Sequence, residues 1–314
     1  MTIIEKIGAM VFLAIIAIVY SLEVCFSLVY AINKLRGKLK VNPFVSKSAL
    51  LIHLLATIGI ICFLYGCFVE PYWIEVKTIE IKTEKLRETS FRLVHISDMH
   101  CDKKLRNEKR VVELVNAINP DVIVFTGDTI NTSVALATFK DTMKSLKAVI
   151  GKFAVHGNYD VWYWSDLDLF SDTGFKVLEK DVVTIKKNNE VIQVSGLSVG
   201  NSELYPQVLK SLSSERFNVL LYHYPDLIED LEDFNVDLYL AGHTHGGQVA
   251  MPLYGALVTL SKYGKKYEAG KYIVGDTLLY VNRGIGMEGG YTPRVRFWAR
   301  PEITVFNIVS ERGY

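Results

Sequence analysis

Leu238-Tyr239-Leu240-Ala241-Gly242-His243-Thr244-His245 decides how this chain reads, because an apolar run stops at a glycine and delivers two histidines. A short continuous apolar run suits a strand buried on both faces. The pattern occurs four more times upstream. Leu93-Val94-His95-Ile96-Ser97 runs out at Asp98-Met99-His100, and Val122–Phe125 at Thr126-Gly127-Asp128. Phe153-Ala154-Val155-His156 runs out at Gly157-Asn158-Tyr159-Asp160, and Val219–Tyr222 at His223. Open α/β sheets carry their sites at the carboxyl ends of strands, so the five clusters are expected to converge on one crevice.

Spacing supports convergence. Asp98 and His100 are two apart, as are His243 and His245, so in extended backbone each pair projects from one side. The glycines before Asp128, Asn158 and His243 permit tight turns close to an ion. Carboxylates and imidazoles mixed with an amide suit two borderline divalent cations such as Mn, Fe or Zn, and exclude an all-thiolate structural zinc. Cys25, Cys62 and Cys67 sit in apolar stretches and Cys101 stands alone, so no disulfide framework is expected.

Around these clusters strand-like runs alternate with helical ones. Strands are expected at Phe91–Ile96, Val122–Thr126, Lys152–His156, Thr184–Lys186, Val191–Leu197, Phe217–Tyr222, Val236–Leu240, Leu278–Asn282 and Ile303–Ile308. A helix is expected over Leu105–Ile118. The alternation argues for an α/β fold, and the neighbouring strands near 180–197 for a hairpin within it.

The front of the chain differs. Ile7–Ile32, broken by Glu23, and Ser48–Val69 are each long enough to span a bilayer core, which takes about 20 helical residues. Residues 1–69 carry six Lys/Arg and two Asp/Glu, leaving 29 and 32 of the totals of 35 and 34 to residues 70–314. Lys34, Arg36, Lys38, Lys40 and Lys47 crowd the loop between the spans, and basic loops stay cytoplasmic. The expected organisation is a two-helix transmembrane anchor over 1–70, a connector and edge strand over 71–90, and a domain over 91–314. That domain would lie outside the cytoplasm, in the cell membrane's extracytoplasmic surface layer, with Tyr72 and Trp73 at the interface. Glu23 inside a span is a functional candidate by default, but a hydrogen bond toward His53 is the plainer account.

The five clusters resemble the calcineurin-like metallophosphoesterase superfamily, whose pattern is D-x-H, G-D, G-N-H-[DE], H and G-H-x-H, from Asp98 to His245. The tail around Asn282-Arg283-Gly284 and Arg294–Pro301 resembles that superfamily's membrane-linked bacterial branch. The resemblance implies an α/β/β/α sandwich after the two-helix hairpin. It also implies two divalent ions, one on Asp98, His100 and His245, the other on Asn158, His223 and His243, with Asp128 bridging. The reaction would be attack on phosphorus by a metal-bridging hydroxide, with Asp128, Asn158, Tyr159 and His223 around the reacting group. Tyr159 departs from the pattern, since the family commonly has His there. A phenol donates a hydrogen bond at neutral pH but is a poorer proton donor than imidazolium.

The expected activity is hydrolysis of a phosphodiester, pyrophosphate or phosphomonoester of a membrane lipid or envelope component. Two alternatives stand beside it: a metal-binding membrane protein without turnover, and a nucleotide phosphodiesterase. The acidic balance after residue 69 provides no basic groove, so no nucleic-acid partner is expected. His95 and His156, inside apolar runs, are expected to be hydrogen-bonded core or supporting groups. Trp162, Tyr163 and Trp164 read equally as packing or as a substrate wall. The interleaved basic and aromatic residues from Arg283 to Arg300 suit either a loop on anionic headgroups or a plain connection to the last strand.

Overall fold

The computed structural model describes residues 1–38, 46–288 and 294–311. Two apolar helices come first, α1 (Ile3–Leu35) and α2 (Lys47–Phe68). Both are long and apolar enough to cross a membrane. Thr2 caps α1, its hydroxyl accepting from the Glu5 amide while the Glu5 carboxylate accepts from the Thr2 amide. The helices pair along their length. Tyr20 Oη donates to the Ala56 carbonyl at 3.0 Å, and His53 Nδ1 lies 2.6 Å from Glu23 Oε2. Glu23 therefore has the partner expected of it within the hairpin. Lys40 of the connecting loop lies outside the described residues.

The connector supplies β1 (Glu75–Thr83), and then come β2 (Phe91–Ile96), α3 (Glu108–Ile118), β3 (Val122–Phe125) and α4 (Leu136–Ser145). Next are β4 (Gly151–Ala154), α5 (Asn158–Tyr163), β5 (Phe175–Val177), β6 (Lys180–Lys187), β7 (Glu190–Leu197) and α6 (Tyr205–Leu209). The chain ends with β8 (Phe217–Tyr222), β9 (Leu238–Ala241), β10 (Ala250–Met251), β11 (Gly255–Ala256), β12 (Gly270–Val274), β13 (Thr277–Val281) and β14 (Glu302–Ser310).

These strands form two six-stranded sheets, ordered β1-β14-β2-β3-β4-β5 and β12-β13-β9-β8-β7-β6. The strands β2, β3 and β4 are mutually parallel, as are β7, β8, β9 and β13. The continuous apolar runs follow from burial on both faces. Leu93, Val122 and Val124 meet Val219, Leu221, Leu238 and Leu240 between the sheets. On the outside of the first sheet, Val94, Ile123 and Phe125 pack against Val111 and Val115 of α3 and Phe139 and Met143 of α4. Leu220, Tyr239 and Ala241 do the same against Val208 and Leu209 of α6. The result is a four-layered α/β/β/α sandwich. Helix α3 begins at Glu108 rather than Leu105, because Asp102 and Glu108 engage the side chain of Arg106 and its amide ahead of the first turn.

Candidate metal centre

Parallel strands in both sheets bring their carboxyl ends to one edge, and the two sheets are joined there by site residues. His223 Nδ1, just past β8, donates to the Thr126 carbonyl just past β3 at 2.6 Å. The His243 amide, past β9, donates to Asp98 Oδ1 at 3.1 Å, past β2. Gly242 permits this approach, since a Cβ there would collide with Ser97 and the Asp98 carboxylate. Gly127 is needed twice over: its φ is +93°, and a Cβ would strike the backbone of Gly157.

The expectation of extended backbone at the paired ligand types is not met. Asp98, His100, Asp128, His243 and His245 have φ of 49°, 39°, 60°, 71° and 52°. Residues other than glycine seldom occupy this left-handed region, at a cost of about 1–3 kcal/mol each. Coiling the chain after each strand, instead of continuing it straight, turns these side chains into the crevice. Five such residues at one edge, all bearing metal-ligand side chains, mark a place where packing enforces a functional geometry.

The donors converge. Asp98, His100 and His245 offer ligand atoms all within 4.8 Å of one another, and Asp98, Asp128 and His223 form a second, overlapping group. All of these are buried. His223 Nε2 lies 3.0 Å from Asn158 Oδ1 and 3.3 Å from Asp128 Oδ2, and His100 Nε2 lies 3.5 Å from the same Asp128 oxygen. His243 falls outside both groups: its ring is edge-on to Tyr224, with centroids 4.4 Å apart, and its Nε2 is 3.4 Å from the Leu260 carbonyl.

This donor set fits cations. His100 Nδ1 donates to Asn131 Oδ1 at 3.0 Å, and His223 Nδ1 to Thr126, so in the neutral rings each Nε2 is the atom left to take a cation. The Nε2 atoms crowd other ligand atoms: Asn158 Oδ1 faces His223 Nε2, and His245 Nε2 lies 3.2 Å from His100 Nε2. Acceptor against acceptor is stable only with a cation or a proton between. Without a cation, protons on the imidazoles take that place. Burial opposes ionisation of Asp128, yet the His223 and His100 imidazoles overcome it and hold the carboxyl well below its usual range. Burial also opposes charge on His223, but Asp128 and Asp98 raise it to about 9. Burial, with His223 adding, depresses His243 to about 3, so that ring is neutral.

Sequence reasoning missed four supporting groups. Asp160 accepts from the amides of Asp128, Thr129 and Gly157 at 2.8–2.9 Å, tying the loops after β3 and β4 together. Its place in the Gly-Asn-Tyr-Asp run was the available signal. Asn131 orients His100 and also donates to the Met287 carbonyl. Glu288 Oε1 accepts from Tyr159 Oη at 2.8 Å, and burial together with that carboxylate pushes the phenol up, so Tyr159 keeps its proton at neutral pH. Arg296 is fully buried, donating to the carbonyls of Gly286, Ala299 and Arg283 and standing 3.3 Å from His245 Nδ1.

That burial corrects the reading of Arg283–Arg300 as a headgroup-binding loop. Arg296 faces inward, Arg294 pairs with Asp102, and Arg283 pairs with Glu75 and Glu302. Among the described residues of this stretch, Trp298 is the one exposed aromatic, at 63%. Gly289 to Tyr291 lie outside the described residues. His95 Nε2 is 2.8 Å from Thr126 Oγ1, and His156 Nδ1 is 2.9 Å from Glu179, so both are supporting groups. Trp164 packs inward, its Nε1 donating to the Ile130 carbonyl, whereas Trp162 and Tyr163 are exposed beside Tyr159.

The comparisons with known proteins agree with this geometry. The family model described as calcineurin-like phosphoesterase matches residues 91–247. The chain is 36% identical over 232 residues to the metallophosphoesterase YkuE of Bacillus subtilis, covering 70% of this chain and 79% of that one. It is 29% identical to the phosphodiesterase YaeI of Escherichia coli, covering 70% and 82%. It is 25% identical to the UDP-2,3-diacylglucosamine pyrophosphatase LpxG of Chlamydia muridarum, covering 70% and 84%. With buried carboxylates and imidazoles gathered where that family's pattern falls, the chain belongs to the calcineurin-like phosphoesterases and is a phosphoester hydrolase.

Proposed function

We propose that the protein is a dinuclear-metal phosphohydrolase acting on a lipid-linked phosphodiester, pyrophosphate or monoester at the extracytoplasmic membrane surface. The observation that carries this reading is the convergence of buried carboxylates, imidazoles and an amide oxygen on one another, an arrangement that needs a cation or protons between its ligand atoms. Asp98, His100 and His245 would hold one ion and Asn158 and His223 the other, with His243 joining the second set by turning its ring from Leu260, and Asp128 would serve both. Mn, Fe and Zn suit this mixture of donors. When bound, such a pair of cations activates water at neutral pH and neutralises phosphoryl oxygens. Tyr159 lines the opening beside Asp128 and Asn158, and by turning its one O–H from Glu288 it would donate a hydrogen bond to the phosphate or the departing oxygen.

The membrane placement rests on two contacts. The Glu5 carboxylate of α1 takes hydrogen bonds from the Thr259 amide and hydroxyl at 2.8 and 2.6 Å. The Arg296 amide donates to the Gly66 carbonyl near the end of α2 at 2.9 Å. Both free ends of the hairpin thus dock on the catalytic domain, and the basic loop is at the far end. With that loop cytoplasmic, the domain is outside, against the bilayer. Phe68, Trp73, Leu253 and Trp298 are exposed on this side, Leu253 completely, which suits an interface.

The test is hydrolysis of bis(p-nitrophenyl) phosphate by the full-length protein in detergent. Turnover that requires added Mn and disappears with EDTA supports the reading. Metal-independent turnover, or none with any of the three metals, contradicts it.

A further inference from the structure

Two openings meet at the metal-ligand cluster, and they differ in character. One, of about 500 Å3, is lined by Asp128, Asn158, Tyr159, Trp162, Tyr163 and Tyr224. It mixes hydrogen-bonding groups with aromatic faces, as polar-ligand sites do. The other, of about 450 Å3, has His243 and His245 at its inner end. Its walls are Val249, Leu257 and Val258 on one side and Ala9, Phe12 and Leu13 of α1 on the other. His243, Leu260 and Glu288 border both openings, so the two are arms of one site.

The apolar arm is unusual in being walled by a membrane helix. Leu13 is 62% exposed and its neighbours Met10 and Val11 exceed half exposure, so the outer lip of the groove is the lipid-facing surface of α1. The helix is pinned in that position. Glu5 is fully buried against Thr259, and Gly8 leaves room for the Tyr254 hydroxyl, where a Cβ would clash with it. The 257–260 segment that forms the facing wall is the same segment that holds Glu5. A groove running from phosphoryl-binding ligands to the hydrocarbon face of a spanning helix matches one ligand shape. Its phosphate sits at the ligands, its chain lies along α1, and its polar substituent faces the aromatic arm.

The geometry points to the α1 groove as the chain subsite for a phosphate-ester lipid, which enters from the bilayer between α1 and residues 257–260. This deepens the proposed function and rests on it. Burying each methylene of an alkyl chain is worth about fourfold in binding, so discrimination by chain length is the direct consequence. A water-filled gap between anchor and domain carries no such dependence.

The experiment compares methyl and octyl p-nitrophenyl phosphate, both below micelle-forming concentration, with full-length protein and Mn. The subsite predicts a kcat/KM at least tenfold higher for the octyl ester, and a ratio falling toward one in Ala9→Trp, which fills the groove. Turnover of both esters with a ratio near one in the unsubstituted protein overturns the subsite and leaves the hydrolase reading standing. Failure to hydrolyse either ester overturns that reading, and the subsite with it. A second readout does not depend on turnover. An octylphosphonate with a terminal diazirine should label Phe12, Leu13 and Val258 in excess of the alcohol with the same chain and diazirine. Equal labelling by phosphonate and alcohol overturns the subsite even if Ala9→Trp fails to fold.

Discussion

The carboxylate of Glu5 and the Thr259 hydroxyl, 254 residues apart in the chain, lie 2.6 Å from each other in a fully buried contact. It joins the first turn of α1 to the loop beside His243. Thr259→Val removes one donor from a buried carboxylate, a loss of about 1–3 kcal/mol. Thermal unfolding in detergent should show a lower Tm for this variant. An unchanged Tm would mean that α1 does not dock there.

Tyr159 stands where the family pattern commonly has His, with its hydroxyl on Glu288 Oε1 at 2.8 Å. Tyr159→Phe should slow alkyl phosphodiesters, whose leaving groups need help, about tenfold more than p-nitrophenyl esters, whose leaving groups do not. Equal slowing of both would leave the phenol as packing against the His100 ring.

Arg296 bridges the end of α2 and His245 from a fully buried position. Arg296→Gln leaves carbonyls of Arg283, Gly286 and Ala299 short of donors, and should cost at least about 2 kcal/mol. It should also weaken Mn binding, because the ring it supports is displaced. A normal Tm, with loss confined to lipid-embedded substrate, would restore the headgroup reading of this segment.

How much of this was visible beforehand depends on what each feature needs. Leu238–Ala241 reads as a strand because burial on both faces forces an unbroken apolar run, and its exit at Gly242 marks the site edge. Asp98, Asp128 and His223 were legible for the same reason. Arg296 was not: Arg294, Arg296 and Arg300 look alike in sequence, and only the fold decides which guanidinium finds buried carbonyls. Glu288 likewise joins Tyr159 across 129 positions, with no local signal. The left-handed turns at Asp98 and His100 are held by their amides donating to the Gly127 and Asp128 carbonyls, distant contacts that local propensity does not register. Helix α4 was not anticipated, since Leu136–Ser145 buries only a narrow stripe of Phe139, Thr142 and Met143.

The His156–Glu179 ion pair, at 2.9 Å, yields a pH signature. Burial works against charge on His156, but Glu179 raises it above 6.5, so its contribution is full below that pH and fades as pH rises through the folded value. His156 holds Glu179 below 4.5, so that contribution is present above 4.5 and fades as pH falls. The destabilisation caused by Glu179→Gln should therefore be largest between about 4.5 and 6.5 and shrink as pH rises through the folded value of His156. A pH-independent difference in Tm would show that the pair is not charged in the fold.

The central claim is a two-ion site bridged by Asp128, and metal content is its most direct measure. Protein loaded with Mn, desalted and analysed by plasma mass spectrometry should carry two ions per chain. Asp128→Asn should carry fewer and lose at least a hundredfold in diester hydrolysis, because a neutral amide cannot offset two cations. One ion or none per chain in fully active protein, or an Asp128→Asn variant with two ions and unchanged turnover, would contradict the account.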